Sequence, residues 1–273
     1  MIKKFYAVLV IVFNLFYLLI PCYYLAKDKK KGILSMKNKV QIATDNVISN
    51  YLFNKINIEG VMKKSEPNKI NLLIANHISI IDFMLIVNIL YKNGINDYYF
   101  VFKDSILKIP MIGSGIKFDI HLSRNWETDQ HLIKDQLKTI ESGTILIYPE
   151  GTRYTNKKHK DSINFCIENK LPIYNYTLTP RAKGLHYFYK ILQEEKRLDS
   201  IYDITLIVPK YIKKELGLKQ ILLDYNLGYL DVIISKLNFT KEDLDYEKFK
   251  KKLYYYWLIK NVQFENKLKI LNV

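Results

Sequence analysis

The stretch Ala75-Asn76-His77-Ile78-Ser79-Ile80-Ile81-Asp82-Phe83 sets a histidine, a serine and an aspartate into a run of isoleucines. Imidazole, hydroxyl and carboxylate are the parts of a nucleophilic triad. They are also the parts of a His–Asp pair that activates a hydroxyl carried by the substrate. The same residues suit a helix start, with Ser79 as N-cap, Asp82 three places on in a near capping box, and His77 filling the preceding loop. On spacing alone both readings stand. Residues five apart on a regular helix point roughly 140° from one another. His77 and Asp82 therefore meet only if His77 precedes the helix and folds back over its first turn. Asp82 then holds one imidazole nitrogen and leaves the other as a base. Ser79 as the attacking group fits poorly, because it lies two residues from its base and no G-x-S-x-G elbow surrounds it.

Two further stretches carry chemistry. In "YPEGTR", Gly151 and Thr152 let backbone amides approach a ligand, and the fork of Arg153 suits a phosphate; an ordinary surface turn with a Glu150–Arg153 pair is the alternative. In "HLSRNWETD", Arg124 stands near Trp126 and Asp129, where it can serve a surface ion pair or a ligand clamp.

The elements that must position these residues alternate along the chain. Residues 36 to 55 read as a polar-faced helix. "KINLLIANH" reads as a buried strand, "SIIDFMLIVNILYKNG" as a helix stopped by Gly94, and "DYYFVFK" as a strand. "KIPMIGSGIKFDIHLSR" is a loop and short strand, "ETDQHLIKDQLKTIESG" an amphipathic helix, and "TILIYPEGTR" a strand running into a polar loop. A helix near 160–170, a strand "IYNYTL", a helix near 184–197, strands "DITLIVP" and "YLDVIISKL", and a basic helix from about 241 to 260 follow. This order implies an α/β fold: a single mixed sheet with helices on both faces, and loops at its carboxyl edge carrying the site.

The chain has 273 residues, 49% hydrophobic and 14% aromatic, which excludes disorder. Its 42 basic and 27 acidic residues give +15, a field that suits an anionic partner, although lysine-rich coding drift raises the same number. Cys22 and Cys166 form no CxxC, and the five histidines show no metal-ligand spacing, so no metal and no disulfide framework are expected. From Phe5 to Ala26 no residue is charged, and Lys3, Lys4, Lys27, Lys29, Lys30 and Lys31 flank the stretch. That length suits a membrane-spanning or interfacial anchor helix, with the larger positive flank placing the remainder on the cytosolic side. The expected organisation is an anchor over 1–31, a connecting helical segment over 32–64 and a catalytic domain over 65–273.

Taken together and in this order, the motifs resemble the phospholipid acyltransferases that carry N-H-x4-D and E-G-T-R blocks. Asn76-His77 with Asp82 matches the first block. Lys103 with Pro110, Gly113 and Arg124 matches the second, and Glu150-Gly151-Thr152-Arg153 matches the third in full. "SRNWETD", "NKLPIYNYTLTPRAKG" and "YDITLIVP" look closest to the lysophosphatidate acyltransferases of the gamma and delta type and the lysocardiolipin acyltransferases. The resemblance runs from about residue 60 to the end. It implies that His77 is the general base, that Asp82 orients it, and that Glu150, Gly151, Thr152, Arg153, Arg124 and Lys103 position the acceptor's phosphate. Asn76, in the first block, is a further candidate, and Pro180 and Arg181 stand where the family places a fourth block of less defined role. It also implies acyl-CoA as co-substrate with no bound cofactor, and a lysophospholipid acceptor with 1-acyl-glycerol-3-phosphate first and lysocardiolipin or another lysophospholipid as alternative. A membrane surface is the expected partner rather than nucleic acid, and a membrane the expected location, endoplasmic-reticulum-like if the protein is eukaryotic or host-expressed. A non-enzymatic basic membrane module is the remaining reading. "LYYYWLIKN", preceded by Lys250, Lys251 and Lys252, reads either as an interfacial basic-aromatic segment or as an ordinary packed helix.

Overall fold

A computed structural model describes residues 37–270, except 38–39, 43, 109–115, 117, 213, 218–219, 222–223 and 225. The anchor expected over residues 1–31, and Pro110 and Gly113 of the second block, lie outside the described residues. Among the described residues no helix is long and apolar enough to cross a membrane.

The described residues form a seven-stranded mixed sheet in the order β1-β7-β6-β2-β5-β3-β4. In chain order the strands are β1 (Lys55–Glu59), β2 (Ile70–Ala75), β3 (Tyr98–Lys103), β4 (Ile120–Leu122), β5 (Gly143–Ile147), β6 (Leu198–Ile207) and β7 (Tyr229–Leu237). Neighbouring strands run parallel except β6 and β7, which pair antiparallel from Ile201↔Leu237 to Ile207↔Asp231. The central strand β2 is buried along its whole length. Its side chains alternate between two cores, as the two-residue period requires. Leu73 and Ala75 join the helix α1 (Asp82–Lys92) and residues 47–53 on one face. Ile70, Leu72 and Ile74 face α2 (Trp126–Lys138), α3 (Asn156–Glu168), α4 (Ala182–Glu194) and α5 (Tyr246–Ile270) on the other. Helices therefore cover both faces, as the alternation along the chain implied.

Four expectations are corrected. The helix read over 36–55 gives way after the π-helical turn Ile48–Leu52, and Lys55–Glu59 is an edge strand pairing with β7. The sheet thus begins inside the segment read as a connector. "IYNYTL" is no strand: both neighbours of β2 are already taken by β5 and β6, and the segment lies along α5 instead. Its groups bond there, Tyr174 Oη to the Tyr254 carbonyl at 3.3 Å and the Tyr176 amide to Asn261 Oδ1 at 3.2 Å. The last helix begins at Tyr246 rather than 241, because Thr240 and Asp243 close a capping box on a separate 3-10 turn, Lys241–Leu244. The first turn of α1 also differs from the expected cap, as described next.

Candidate active site

The period of β2 carries past its end. Ala75 points to the α1 face, and a two-residue step aims His77 the same way. Between them Asn76 is fully buried and extends the strand pairing with its side chain: Nδ2 donates to the Leu206 carbonyl at 2.9 Å, and Oδ1 accepts from the Leu206 amide at 2.8 Å. Asn76 is therefore a clamp on β6 that fixes where His77 leaves the sheet.

His77 folds back over the start of α1. Its Nδ1 lies 2.7 Å from Asp82 Oδ2. The same oxygen accepts the amides of Ile78 at 2.6 Å and Ser79 at 2.9 Å. An oxygen already collecting two N–H bonds is an acceptor for the ring as well, so Nδ1 carries the proton and Nε2 is left as the base. The imidazole is partly exposed at 22%, while the Asp82 side chain is fully buried. Burial pushes the Asp82 carboxyl above its ordinary value, and His77 and the two amides pull it back.

Ser79 does not cap the helix. The N-cap position is Ile81, without a side-chain bond, and the helix starts at Asp82 itself. Ser79 Oγ instead donates to the Leu216 carbonyl at 2.9 Å. The Asp82 carboxylate ties the preceding turn, so it serves both as the acid of the turn and as the partner of His77. With its hydroxyl buried and turned to Leu216, Ser79 offers no nucleophile.

The E-G-T-R loop leaves β5 beside β2. Register Ile74↔Ile147 sets Tyr148 next to the end of β2, on the face shared with Ala75 and His77. There its ring stacks on the imidazole, with centroids 4.2 Å apart and planes at 17°. The Tyr154 amide donates to the His77 carbonyl at 2.7 Å, and the Arg181 amide to the Pro149 carbonyl at 2.8 Å. Gly151 takes φ +68, a left-handed conformation that suits glycine. The Arg181 side chain crosses it closely enough that an added Cβ would stand 3.4 Å from Arg181 Cδ. Arg181 thus braces this loop, and Pro180 stands buried just before it.

Glu150 departs from its expected part in phosphate binding. Its side chain is buried, and neither oxygen makes a hydrogen bond. Burial drives its carboxyl well above the ordinary range; Lys260 and the nearby His77 and Leu178 amides offset part of that cost, and Asp82 adds to it. Buried in this way, the carboxyl lies inside the fold rather than on the surface that a phosphate would approach. Lys260, from α5, is itself fully buried, with Nζ 2.8 Å from Asp203 Oδ1, 3.0 Å from the Ile204 carbonyl and 3.1 Å from Thr205 Oγ1. Burial lowers its ammonium from the usual value against the pull of Asp203. Tyr148 and Lys260 were not singled out from the sequence. Tyr148 had a signal, since an aromatic residue ends β5 one step before Pro149, whereas a single lysine in a lysine-rich helix gives none.

The remaining expected residues sit on the same carboxyl edge of the parallel strands. Arg153 is exposed after β5, Lys103 ends β3, and Arg124 follows β4 with φ +70, its amide held by Asp129 Oδ2 at 3.0 Å. Strand spacing puts β3 about 10 Å and β4 about 14 Å from β2. Lys103, Arg124 and Arg153 make no ion pair among the described residues. Thr152 is drawn to Lys158, whose Nζ donates to its hydroxyl at 2.5 Å. On the other side of His77, a small, largely apolar cleft with room for about 20 Å³ is lined by Ile78, Tyr154, Tyr176, Leu206, Leu216 and Phe264, among others, with Lys214 in its wall.

A buried-carboxylate dyad, a cationic edge and an apolar cleft define a site suited to activating a hydroxyl next to an anionic group. Residues 55–187 match the family model described as Acyltransferase. Just under half of the chain is therefore similar to the acyltransferase family. It is 34% identical to a probable 1-acyl-sn-glycerol-3-phosphate acyltransferase 5 of Arabidopsis thaliana over 57% of this chain and 44% of that protein. It is 31% identical to lysocardiolipin acyltransferase 1 of Gallus gallus over 54% of this chain and 40% of that protein. To the human 1-acyl-sn-glycerol-3-phosphate acyltransferase gamma it is 30% identical, over 49% and 37%. The matched stretch thus spans less than half the length of these relatives. In fold it is similar to the crystal structure of the 1-acyl-sn-glycerophosphate acyltransferase PlsC of Thermotoga maritima. The TM-score is 0.57 at 15% identity, covering 100% of this chain and 95% of that one.

Proposed function

We propose that the chain transfers an acyl group from acyl-CoA to the free hydroxyl of a lysophospholipid, with 1-acyl-glycerol-3-phosphate as acceptor and phosphatidate as product. His77 Nε2 takes the hydroxyl proton as the oxygen attacks the thioester carbonyl. The new C–O bond forms, the C–S bond breaks, and the proton passes from the imidazolium to the departing thiolate. Asp82, fixed by two amides, stabilises the imidazolium. Arg153, with Arg124 and Lys103 farther along the edge, meets the phosphate, and the apolar lining beside His77 suits contact with the lipid's hydrocarbon part. The observation that carries the reading is the 2.7 Å His77–Asp82 contact, which leaves Nε2 free beside that cationic edge. A lipid acceptor requires work at a membrane surface, and the uncharged stretch from Phe5 to Ala26 suits an anchor there, with the domain on the cytosolic side.

The test is an assay of the purified full chain crossing several acyl-CoAs with lysophosphatidate, lysophosphatidylinositol and lysocardiolipin. His77→Ala is expected to lower kcat by about 10²–10⁴-fold with vesicle association unchanged; an unaltered rate would overturn the mechanism. Lysocardiolipin is the second acceptor reading, supported by the similarity to the lysocardiolipin acyltransferases. A higher kcat/KM on lysocardiolipin than on lysophosphatidate would select it.

A further inference from the structure

The helix α5 has two faces, and the site uses only one. Phe249, Leu253, Trp257, Lys260, Asn261 and Phe264 are buried against the sheet and the 174–178 segment. Phe264 also lines the cleft beside His77. On the outer face stand Tyr255 (60% exposed), Leu258 (37%), Ile259 (37%) and Val262 (52%). Their spacing, i, i+3, i+4 and i+7, sets them in one stripe within an arc of about 100°. Lys248 and Lys251 lie exposed at one end of the stripe and Lys269 at the other. The helix holds seven lysines against two glutamates, and both glutamates fall outside the stretch from Tyr255 to Val262.

We infer that the outer face of α5 is a docking surface for an anionic lipid bilayer. An apolar stripe invites either a hydrophobic partner or a membrane. Charge decides between them: lysines at both ends, in a chain of net charge +15, complement anionic headgroups and repel a second copy of the same chain. Long lysine stems reach past an apolar surface to keep their ammonium groups at the headgroup level, and Tyr255 offers a ring with a polar tip for the same boundary. A helix lying in the interface with its apolar face down has this pattern. Because the opposite face borders the cleft, the bilayer would lie about one helix diameter, roughly 10 Å, from the site. The choice of a lipid as occupant rests on the acceptor proposed above.

The test uses the full chain on vesicles, with Cys22→Ser and Val262→Cys carrying an environment-sensitive fluorophore; Cys166 is buried and stays. A label at Glu194→Cys, on the exposed end of α4, is the control. On phosphatidylglycerol-containing vesicles the 262 label is expected to shift to shorter wavelength and to be quenched by nitroxide lipids, while the 194 label is not. The combined variant Lys248→Gln, Lys251→Gln, Lys269→Gln should shift the docked-to-undocked ratio on the order of 100-fold toward undocked. A chain bound to vesicles whose 262 label stays in water overturns the inference. So does a 262 label shielded without lipid and in proportion to protein concentration, which would mean a contact between copies. Lipid quenching at 262 in a preparation that transfers no acyl group would leave the docking in place and refute the proposed activity instead.

Discussion

His77 is held from two sides, and the two supports differ in kind. Asp82 fixes its tautomer through Nδ1, whereas Tyr148 lies flat against the ring. In the proposed mechanism an aromatic face attracts the positive imidazolium that forms as the hydroxyl proton is taken. Tyr148→Leu should therefore lower kcat about 2- to 10-fold with both KM values unchanged, and Tyr148→Phe should restore it. Steady-state kinetics on the three forms separates the ring from its hydroxyl, and a Leu variant as fast as the parent would remove the ring from the mechanism. Glu150 makes a different prediction. Its carboxyl is raised in the folded state, so between the ordinary value and the raised one the native protein binds more protons than the unfolded chain. Stability then falls as pH rises through that window, by up to about 1.4 kcal/mol per pH unit for one group. Glu150→Gln removes this slope. Its Tm relative to the parent should climb from pH 5 to pH 8, and parallel curves would mean that Glu150 is ionised throughout.

At the level of elements, α5 is tied to the sheet by one buried ion pair. Lys260 Nζ meets Asp203 Oδ1 at 2.8 Å with neither group exposed to water. Removing one partner strands the other charge, so Lys260→Met should cost about 3–5 kcal/mol, and adding Asp203→Asn should recover most of it. Denaturant unfolding of the two variants measures the difference; equal losses would show that packing of the lysine stem, not its charge, holds the helix. Elements with long apolar runs were legible: β2, α1 and β5 follow the hydrophobic pattern, and β7 coincides with the expected strand residue for residue. The failures have physical causes. β1 offers only Ile56 and Ile58 between polar residues, because an edge strand is half covered. Ile173, Tyr174, Tyr176 and Leu178 look like an alternating strand, yet the sheet has no vacant neighbour for them and their backbone pairs with side chains of α5 and α3. Sequence periodicity reports which side is buried, not against what. The dyad was readable because five-residue spacing at a strand-to-helix turn admits few geometries. Burial of Glu150 was not, because the same loop reads equally well with its carboxyl outward.

The whole molecule adds a field to these contacts. Net charge is +15, and Lys103, Arg124 and Arg153 stand on one edge without ion partners among the described residues. Two consequences can be told apart by salt. A general field acts beyond the screening length, which shrinks from about 10 Å at 0.1 M to about 3 Å at 1 M. A direct guanidinium–phosphate contact is screened less. If the edge receives the acceptor's phosphate, KM for lysophosphatidate should rise severalfold from about 0.05 to about 0.5 M salt, with kcat steady. KM for a lysophospholipid of no net charge should move far less. Arg153→Ala should raise the lysophosphatidate KM about 10-fold or more at every salt concentration, as loss of a charge-assisted hydrogen bond does, and it should flatten the salt dependence only in part, because Lys103 and Arg124 keep their share of the field. The same variant measured against acyl-CoA provides the opposing result. Should only the acyl-CoA KM rise, the guanidinium serves the phosphates of that co-substrate, and the acceptor must be held from the β3 and β4 ends of the edge, by Lys103 and Arg124.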